Sequence, residues 1–248
     1  MRILDLFCNA GGAGMGYHRA GFEVFGVDLH RQRNYPFAFH QGDAIEVLRV
    51  LLSGEQIAFR HPDGRVEMLG LADFDAIHAS PPCQGYTALR HAPGTRGAPL
   101  MIEGVRDLVI MCGLPWIIEN VEEARWAMID PVTLCGSMFG LGAQGCQLRR
   151  HRLFESNIAI SPPSPCQHDA RPVIGVYGGH ARRRAASAGG RGTRDVWEGG
   201  HRAAMSEAMG MTWATCAEMS EAIPPAFTEH LGRQLLVHIQ SSCQDQAA

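Results

Sequence analysis

The chain of 248 residues carries 22 basic side chains, every one an arginine, against 25 carboxylates, for a formal net charge of −3. That balance argues against a general polyanion binder of the histone kind, and a content of 46% apolar and 19% charged residues excludes wholesale disorder. The charge is uneven, because residues 147 to 202 hold ten arginines and four acids (Glu155, Asp169, Asp195, Glu198), so a basic block sits on an acidic body. The length suits one α/β domain or a domain with a small appendage.

In chain order, short apolar runs predict strands at Ile3 to Phe7, Glu23 to Val27, Asp75 to Ala79, Trp116 to Glu119 and Val132 to Cys135, with another near Leu153. Helical patterns fall between them, at Gly14 to Ala20, Ala44 to Leu52 and Pro99 to Met111. Alternation of this kind is the signature of βα units on a mostly parallel sheet. IAFRHPDGRVEML has two alternating arms around Pro-Asp-Gly and reads as a hairpin inserted on the surface. After Ile160 the proline-rich SPPSPCQHDARP and the Gly/Arg-rich GGHARRRAASAGGRGTRDVWEGG offer few apolar anchors, which predicts an extended or mobile segment with no core of its own. Helical periodicity returns near Ala203, a last helix is expected from Pro225 to Ile239, and QSSCQDQAA is expected to fray.

Eight cysteines include no C-x-x-C pair, so neither a zinc ribbon nor a thioredoxin motif is expected, and Cys166 with His168 alone does not predict a metal. No basic-then-apolar segment opens the chain, and Pro115 interrupts the best apolar run, LVIMCGLPWII. Reduced thiols in a cytoplasmic setting are the expectation.

Four stretches could carry chemistry. DLFCNAGGAGMG places glycines between a first strand and a first helix, where the backbone approaches a ligand and free helix N–H groups meet a carboxylate or phosphate. Asp28 ends the second strand, where such folds set an acid on ribose hydroxyls, although glycine-rich turns also serve tight packing. The spacing departs from G-x-G-x-x-G, which disfavours a nicotinamide cofactor. ASPPCQGYT follows a strand and presents Cys83 either as a nucleophile or as a small buried thiol. WIIENVEEA ends an apolar strand on Glu119, a carboxyl that desolvation can turn into a proton donor or an ordinary strand-end acid. QLRRHRLFES puts Arg150 and Arg152 on one strand face, suited to a carbonyl or anion, or simply a basic edge.

Taken together, DLFCNAGGAGMG, SPPCQ, ENV, RRHRLF and AIPPAFTEHLG stand in the order of the motifs of the DNA cytosine-5 methyltransferases, and the chain resembles that family over nearly its whole length. The resemblance implies a Rossmann-like S-adenosylmethionine-dependent methyltransferase fold, with S-adenosylmethionine as cofactor and no metal. It also implies a catalytic and cofactor-binding domain at 1–160, a short Arg/Gly-rich target-recognition region at 161–202 and C-terminal helices at 203–248 completing the first. A small phage-type, prophage-type or solitary member is implied by the short recognition region. Double-stranded DNA is the implied partner, with a paired restriction endonuclease as a candidate second one, and a monomer is expected.

Carried over by position, Cys83 resembles the nucleophile that adds to cytosine C6, and Glu119 the residue that bonds N3 and the amino group. Arg152, with Arg150 beside it, resembles the arginine pair that holds the cytosine O2 and supports the loop, and the target base must be flipped out of the duplex to reach them. Phe7, Asn9, Gly11, Gly12, Asp28, Leu29, Asp43, Ala44, Pro81, Leu100 and Ile223 match cofactor positions. Gln84 and Thr87 fall on the loop that enters DNA, and Arg182, Arg183 and Arg184 are expected on its backbone. This sequence departs from the pattern at Asn9, where the first motif has glycine, and at Glu221, where the closing motif has asparagine. It departs again at Gln147, three residues rather than two before Arg150, and in the short recognition region. The same chemistry on RNA, or an inactive nucleic-acid-binding relic, stand as alternatives.

Overall fold

The computed structural model describes residues 1–87, 97–184 and 197–247. Its first elements are β1 (Arg2–Leu6), α1 (Gly12–Ala20), β2 (Glu23–Asp28), β3 (Ala38–Gln41), α2 (Ala44–Leu52), β4 (Ile57–Arg60) and β5 (Val66–Leu69). There follow β6 (Ala76–Ala79), α3 (Ile102–Met111), β7 (Trp116–Asn120), β8 (Val132–Cys135), β9 (Gly142–Ala143), β10 (Cys146–Leu148) and β11 (His151–Ser156). The chain continues with β12 (Val173–Tyr177), β13 (His180–Arg184), α4 (Gly200–Met209), α5 (Cys216–Glu221) and α6 (Pro225–Ala247).

Nine strands form one sheet in the order β5-β4-β3-β2-β1-β6-β7-β11-β8. The inner strands β3, β2, β1, β6 and β7 run parallel, β4 and β11 flank them antiparallel, and the outermost β5 and β8 pair antiparallel to those in turn. Successive side chains on a strand point to opposite faces, and the apolar runs feed both. Thus Leu4 and Leu6 of β1 join Leu48, Leu51, Ile102 and Val105 of α2 and α3 in one core. Ile3 joins Tyr17, Phe227, Leu231 and Leu235 of α1 and α6 in the other. α1 and α6 approach so closely that a Cβ at Gly16 would strike Thr228 Oγ1 and the Pro225 carbonyl, so glycine is required there. The chain builds outward from β1 in one direction through β2 and β3, then returns to its other side through β6 and β7. The carboxyl ends of β1 and β6 therefore flank a topological switch point, where open α/β sheets bind ligands.

A second sheet of four strands has the order β13-β12-β10-β9. With α4 and α5 it encloses a core rich in alanine and methionine that includes Leu148, Ile174, Val176, Ala181, Met205, Met209 and Met219. This differs from the sequence expectation of a coreless segment after Ile160. The apolar residues of β12 and β13 are too few to form a core alone, but β9, β10 and α4 supply the rest from distant sequence. The division of the cores accordingly does not fall at 160 and 202, since 142–148 and 200–221 belong with the small sheet.

Other differences are local. The Pro-Asp-Gly hairpin is not an appendage, because β4 pairs with β3 and extends the large sheet, burying Ile57 and Phe59. Strand β3, at four residues, is too short to show a period in the sequence. α3 begins at Ile102 rather than Pro99, and α6 continues helical to Ala247 rather than fraying. No helix among the described residues is long and apolar enough to cross a membrane.

Candidate active site

Each short loop after an inner strand delivers a side chain to the switch point. A cavity of about 640 Å³ opens there, lined by Phe7, Asn9, Gly12, Asp28, Leu29, Asp43, Ala44, Pro81, Cys83, Gln84, Glu119, Arg152 and Ile223 among others. Most of the residues singled out in the sequence thus share one cleft.

One wall is the turn after β1. Phe7, Asn9 and Gly11 take positive φ (58°, 44° and 79°), and the Gly11 N–H closes the turn on the Cys8 carbonyl. Asparagine is among the few residues that adopt this region readily, so Asn9 keeps the turn where the related motif has glycine. Its N–H donates to Asp28 Oδ2 at 3.0 Å, and its side-chain amide donates to Glu221 Oε2 at 3.3 Å. The two residues at which the sequence departs from the related pattern, Asn9 and Glu221, thus meet each other in the fold. α1 starts at this turn with no side-chain cap and no acid in its first turn, leaving its N–H groups to an anionic ligand. Gly12 is packed on the closing motif, since a Cβ there would strike the Ile223 carbonyl. On the next two strands, Asp28 Oδ1 accepts from the His30 N–H, and Asp43 caps α2 through Oδ1 to the N–H groups of Ile45 and Glu46.

Asp5 lies beneath this wall, fully buried, with Oδ2 accepting from the Tyr35 hydroxyl at 3.2 Å. Burial lifts its carboxyl to about 7, opposed by the hydrogen bonds from Tyr35 and the Gly14 main chain. His78, also fully buried, is held neutral by desolvation, its value falling to about 3. It links the Tyr17 hydroxyl at 3.0 Å to the Ser80 hydroxyl at 2.8 Å, and Ser80 in turn hydrogen-bonds Glu119. Neither Asp5 nor His78 was singled out in the sequence, where each reads as one polar residue inside an apolar strand.

The opposite wall carries Cys83, Glu119 and Arg152. Glu119, at the end of β7, is 7% exposed, and its Oε1 lies 3.0 Å from Arg152 Nε on β11. Register places them together, because β11 runs antiparallel beside β7. Desolvation raises the Glu119 carboxyl, while Arg152, Arg150 and Ser80 pull it down. Burial also raises the Cys83 thiol, Glu119 adds to that rise, and Arg152 opposes it. The Pro-Pro-Cys turn is tied to β7 by Asn120, whose amide donates to the Pro81 carbonyl at 2.9 Å and whose Oδ1 accepts from the Val121 N–H. The sequence showed Asn120 only as part of a motif, and its positioning bond is legible only in three dimensions.

Several expected residues stand outside the cleft. Leu100 is 56% exposed, and its neighbours Pro99 and Met101 line the cavity instead. Gly11 shapes the turn without lining the cavity, and Thr87 caps the Pro-Pro-Cys loop with its N–H on the Cys83 carbonyl. Arg150 precedes β11 rather than lying on it. It is buried, donating to the Val176 carbonyl at 2.9 Å and the Ser220 carbonyl at 2.7 Å, so it joins β12 and α5 behind Arg152. Arg182 and Arg183 sit half-buried on the small sheet, with guanidinium groups 5.8 Å from the Tyr177 ring and 5.0 Å from the Trp197 ring. They are thus unequal and not a uniform basic fringe. The Arg184 side chain lies outside the described residues.

The fold is that of the S-adenosylmethionine-dependent methyltransferases. The solved structure of S. pombe Dnmt2 methyltransferase superposes with a TM-score of 0.52 over 96% of this chain and 99% of that one, at 10% identity. In sequence, the chain is 32% identical over 197 residues to the type II methyltransferase M.AgeI of Thalassovita gelatinovora, a match covering 66% of this chain and 42% of that protein. It is 29% identical over 138 residues to the type II methyltransferase M.HgiGI of Herpetosiphon aurantiacus, covering 52% of this chain and 97% of that sequence. The chain spans less than half the length of M.AgeI. No family model matches.

Proposed function

We propose that the chain is a DNA (cytosine-5-)-methyltransferase that uses S-adenosylmethionine and works through a covalent adduct on Cys83. The observation that carries this reading is the convergence of Cys83, Glu119 and Arg152 on one wall of a cleft whose other wall holds Phe7, Asp28 and an uncapped helix end. Similarity to type II methyltransferases supports DNA as the acceptor over RNA.

The cleft fits the cofactor chemically. Asp28 and Asp43 offer acceptors to ribose and adenine, and the open N–H groups of α1 suit the methionine carboxylate. S-adenosylmethionine supplies an electrophilic methyl group when bound. On the opposite wall the Cys83 sulfur adds to C6 of a flipped-out cytosine, forming an S–C bond and moving an electron pair onto C5. Glu119, whose burial favours the protonated carboxyl, holds a proton at N3 as charge develops there. Arg152 holds O2 with its fork and keeps Glu119 in place through the 3.0 Å contact. After C5 is methylated a water molecule takes its proton, the C–H electron pair reforms the C5–C6 double bond, Cys83 leaves with the S–C pair, and the proton at N3 returns to Glu119. Gln84 enters the duplex from the same loop, and the basic small sheet faces the backbone.

Incubation with radiolabelled S-adenosylmethionine and a random-sequence duplex library should place label on cytosine C5. Cys83→Ala should abolish it, and label retained in that variant would sink the mechanism. A matched transfer-RNA acceptor tests the RNA reading directly. Because burial raises the Cys83 thiol and Glu119 adds to the rise, alkylation of Cys83 should have its midpoint above that of a free cysteine, and Glu119→Gln should bring it part of the way down.

A further inference from the structure

Away from the cleft, four ligand-type side chains meet on the far side of β11. Cys135 ends β8, and His151 opens β11 directly opposite it in the antiparallel register. The irregular proline-rich segment after β11 then folds back and adds Cys166 and His168. One ligand atom from each of the four lies within 4.8 Å of all the others. Cys166 Sγ is 3.1 Å from His168 Nε2 and 3.5 Å from His151 Nε2, and Cys135 Sγ is 3.5 Å from His168 Nε2. Tetrahedral zinc with thiolate and imidazole ligands has donor separations of roughly 3.4–3.8 Å by its ordinary bond lengths, so the four side chains need only small shifts to take it up. Both thiols are free.

We infer that Cys135, His151, Cys166 and His168 form a structural zinc site. Two thiolates and two imidazoles select zinc over the hard cations, which take oxygen ligands, and balance its charge. All four positions are filled by the protein, so the site has no open coordination for catalysis. The surroundings match as well. His151 Nδ1 faces Glu122 Oε2 at 3.4 Å, which directs its Nε2 lone pair to the cluster, and the Ser137 hydroxyl donates to Cys135 Sγ at 3.2 Å. Binding replaces two thiol protons by the metal. The consequence is mechanical. The segment between β11 and β12 has no core of its own, and the metal staples it to the edge of the large sheet one residue before Arg152. It therefore fixes the small sheet against the reactive wall. The lack of C-x-x-C gives no hint of such a site, because the ligands meet through strand register rather than local spacing.

The full chain, purified without chelator, should contain one zinc per molecule by elemental analysis. Replacement by cobalt should give the thiolate charge-transfer band and the intense visible bands of a tetrahedral site. Cys166→Ser and His168→Gln, both on the loop, should each lose the metal and lower Tm, while Glu122→Gln, which keeps all four ligands, should weaken zinc binding about tenfold. Absence of zinc together with a cobalt complex lacking thiolate absorption overturns the assignment. So does full zinc retention in both loop variants, or a Cys135–Cys166 disulfide found by non-reducing mass analysis of the fresh protein.

Discussion

The two sheets differ in how they are made. The large one is built from consecutive βα units, each burying its own apolar run against a neighbouring helix, and its loops deliver the cleft at the strand ends. The small one gathers a two-residue strand, a three-residue strand and two later strands around α4 and α5. Its core is rich in alanine and methionine, and methionine is an adaptable side chain that fills irregular space without dictating it. The difference suggests that the first region sets the chemistry, and that the second is held to it by a few polar bridges. Each bridge, and each buried titratable group beneath the cleft, is therefore a point at which that contrast can be tested.

The largest expected effect lies inside the large sheet. Asp5, lifted to about 7 from 3.8, contributes least when ionised, so its part of the stability is present below pH 3.8 and lost as pH rises toward 7. His78, lowered to about 3 from 6.5, acts in the opposite sense, costing stability as pH falls below 6.5. The two nearly cancel between about pH 4 and 6.5. Asp5→Asn should remove the first alone, so the cofactor-free variant should gain stability across that window where the parent is flat. At pH 8 its advantage should reach as much as about 4 kcal/mol, because each pH step of one between the unfolded and folded values contributes about 1.36 kcal/mol. Urea melts at pH 4, 6.5 and 8 measure this, and parallel curves for the two proteins would exclude it.

The next effect falls on the joint between the regions. Arg150→Ala leaves the Val176 and Ser220 carbonyls without their buried donor, and should cost about 3 kcal/mol. If the small sheet is held mainly by such bridges, its melting should separate from that of the large sheet, and methyl transfer should fall because Arg152 loses its backing. A single undivided transition in the variant would mean that apolar packing, not Arg150, joins the two. Gly12→Ala strikes the other seam, between α1 and the closing motif. An added Cβ must displace the Ile223 main chain, so cofactor affinity should fall about tenfold, or about 1.4 kcal/mol. Isothermal calorimetry reads that value directly.

The same contrast explains what the sequence made legible. Strands β1, β2, β6 and β7 announce themselves as apolar runs, and their positions alone bring Asp28, Cys83 and Glu119 to one cleft. The arginine pair was only half legible. Arg152 reaches the cleft and meets Glu119, but Arg150 turns away, because the strand begins at His151 and period-two alternation does not extend back to it. Leu100 lies in the irregular chain just ahead of a helix that starts two residues later, where the sequence carries no period to say which way its side chain turns. The small sheet was hard to read because β9 and β10 are only two and three residues long, and the elements that complete the core around the apolar run of β12, VIGVY, lie far along the chain. The four proposed zinc ligands are hidden in the same manner, by a cross-strand register that no linear motif encodes.

The smallest effect separates two neighbours on β13. Arg182 and Arg183 are adjacent, so they point to opposite faces of the small sheet. Arg183 shares its face with buried Trp197, at 5.0 Å from the ring, and so belongs to packing. Arg182 rests at 5.8 Å from the Tyr177 ring, on a residue that is itself only half-buried. If the small sheet meets the DNA backbone as proposed, Arg182→Ala should weaken binding uniformly across sequences and reduce the slope of log affinity against log salt by about one, with Tm unchanged. Arg183→Ala should instead lower Tm by loss of its stacking, with a smaller change in salt slope. Equal slopes for both variants and the parent would place the duplex on another surface. Equal loss of Tm would show that the two arginines act alike as packing, and that the basic block identified by composition serves the small sheet before it serves any partner.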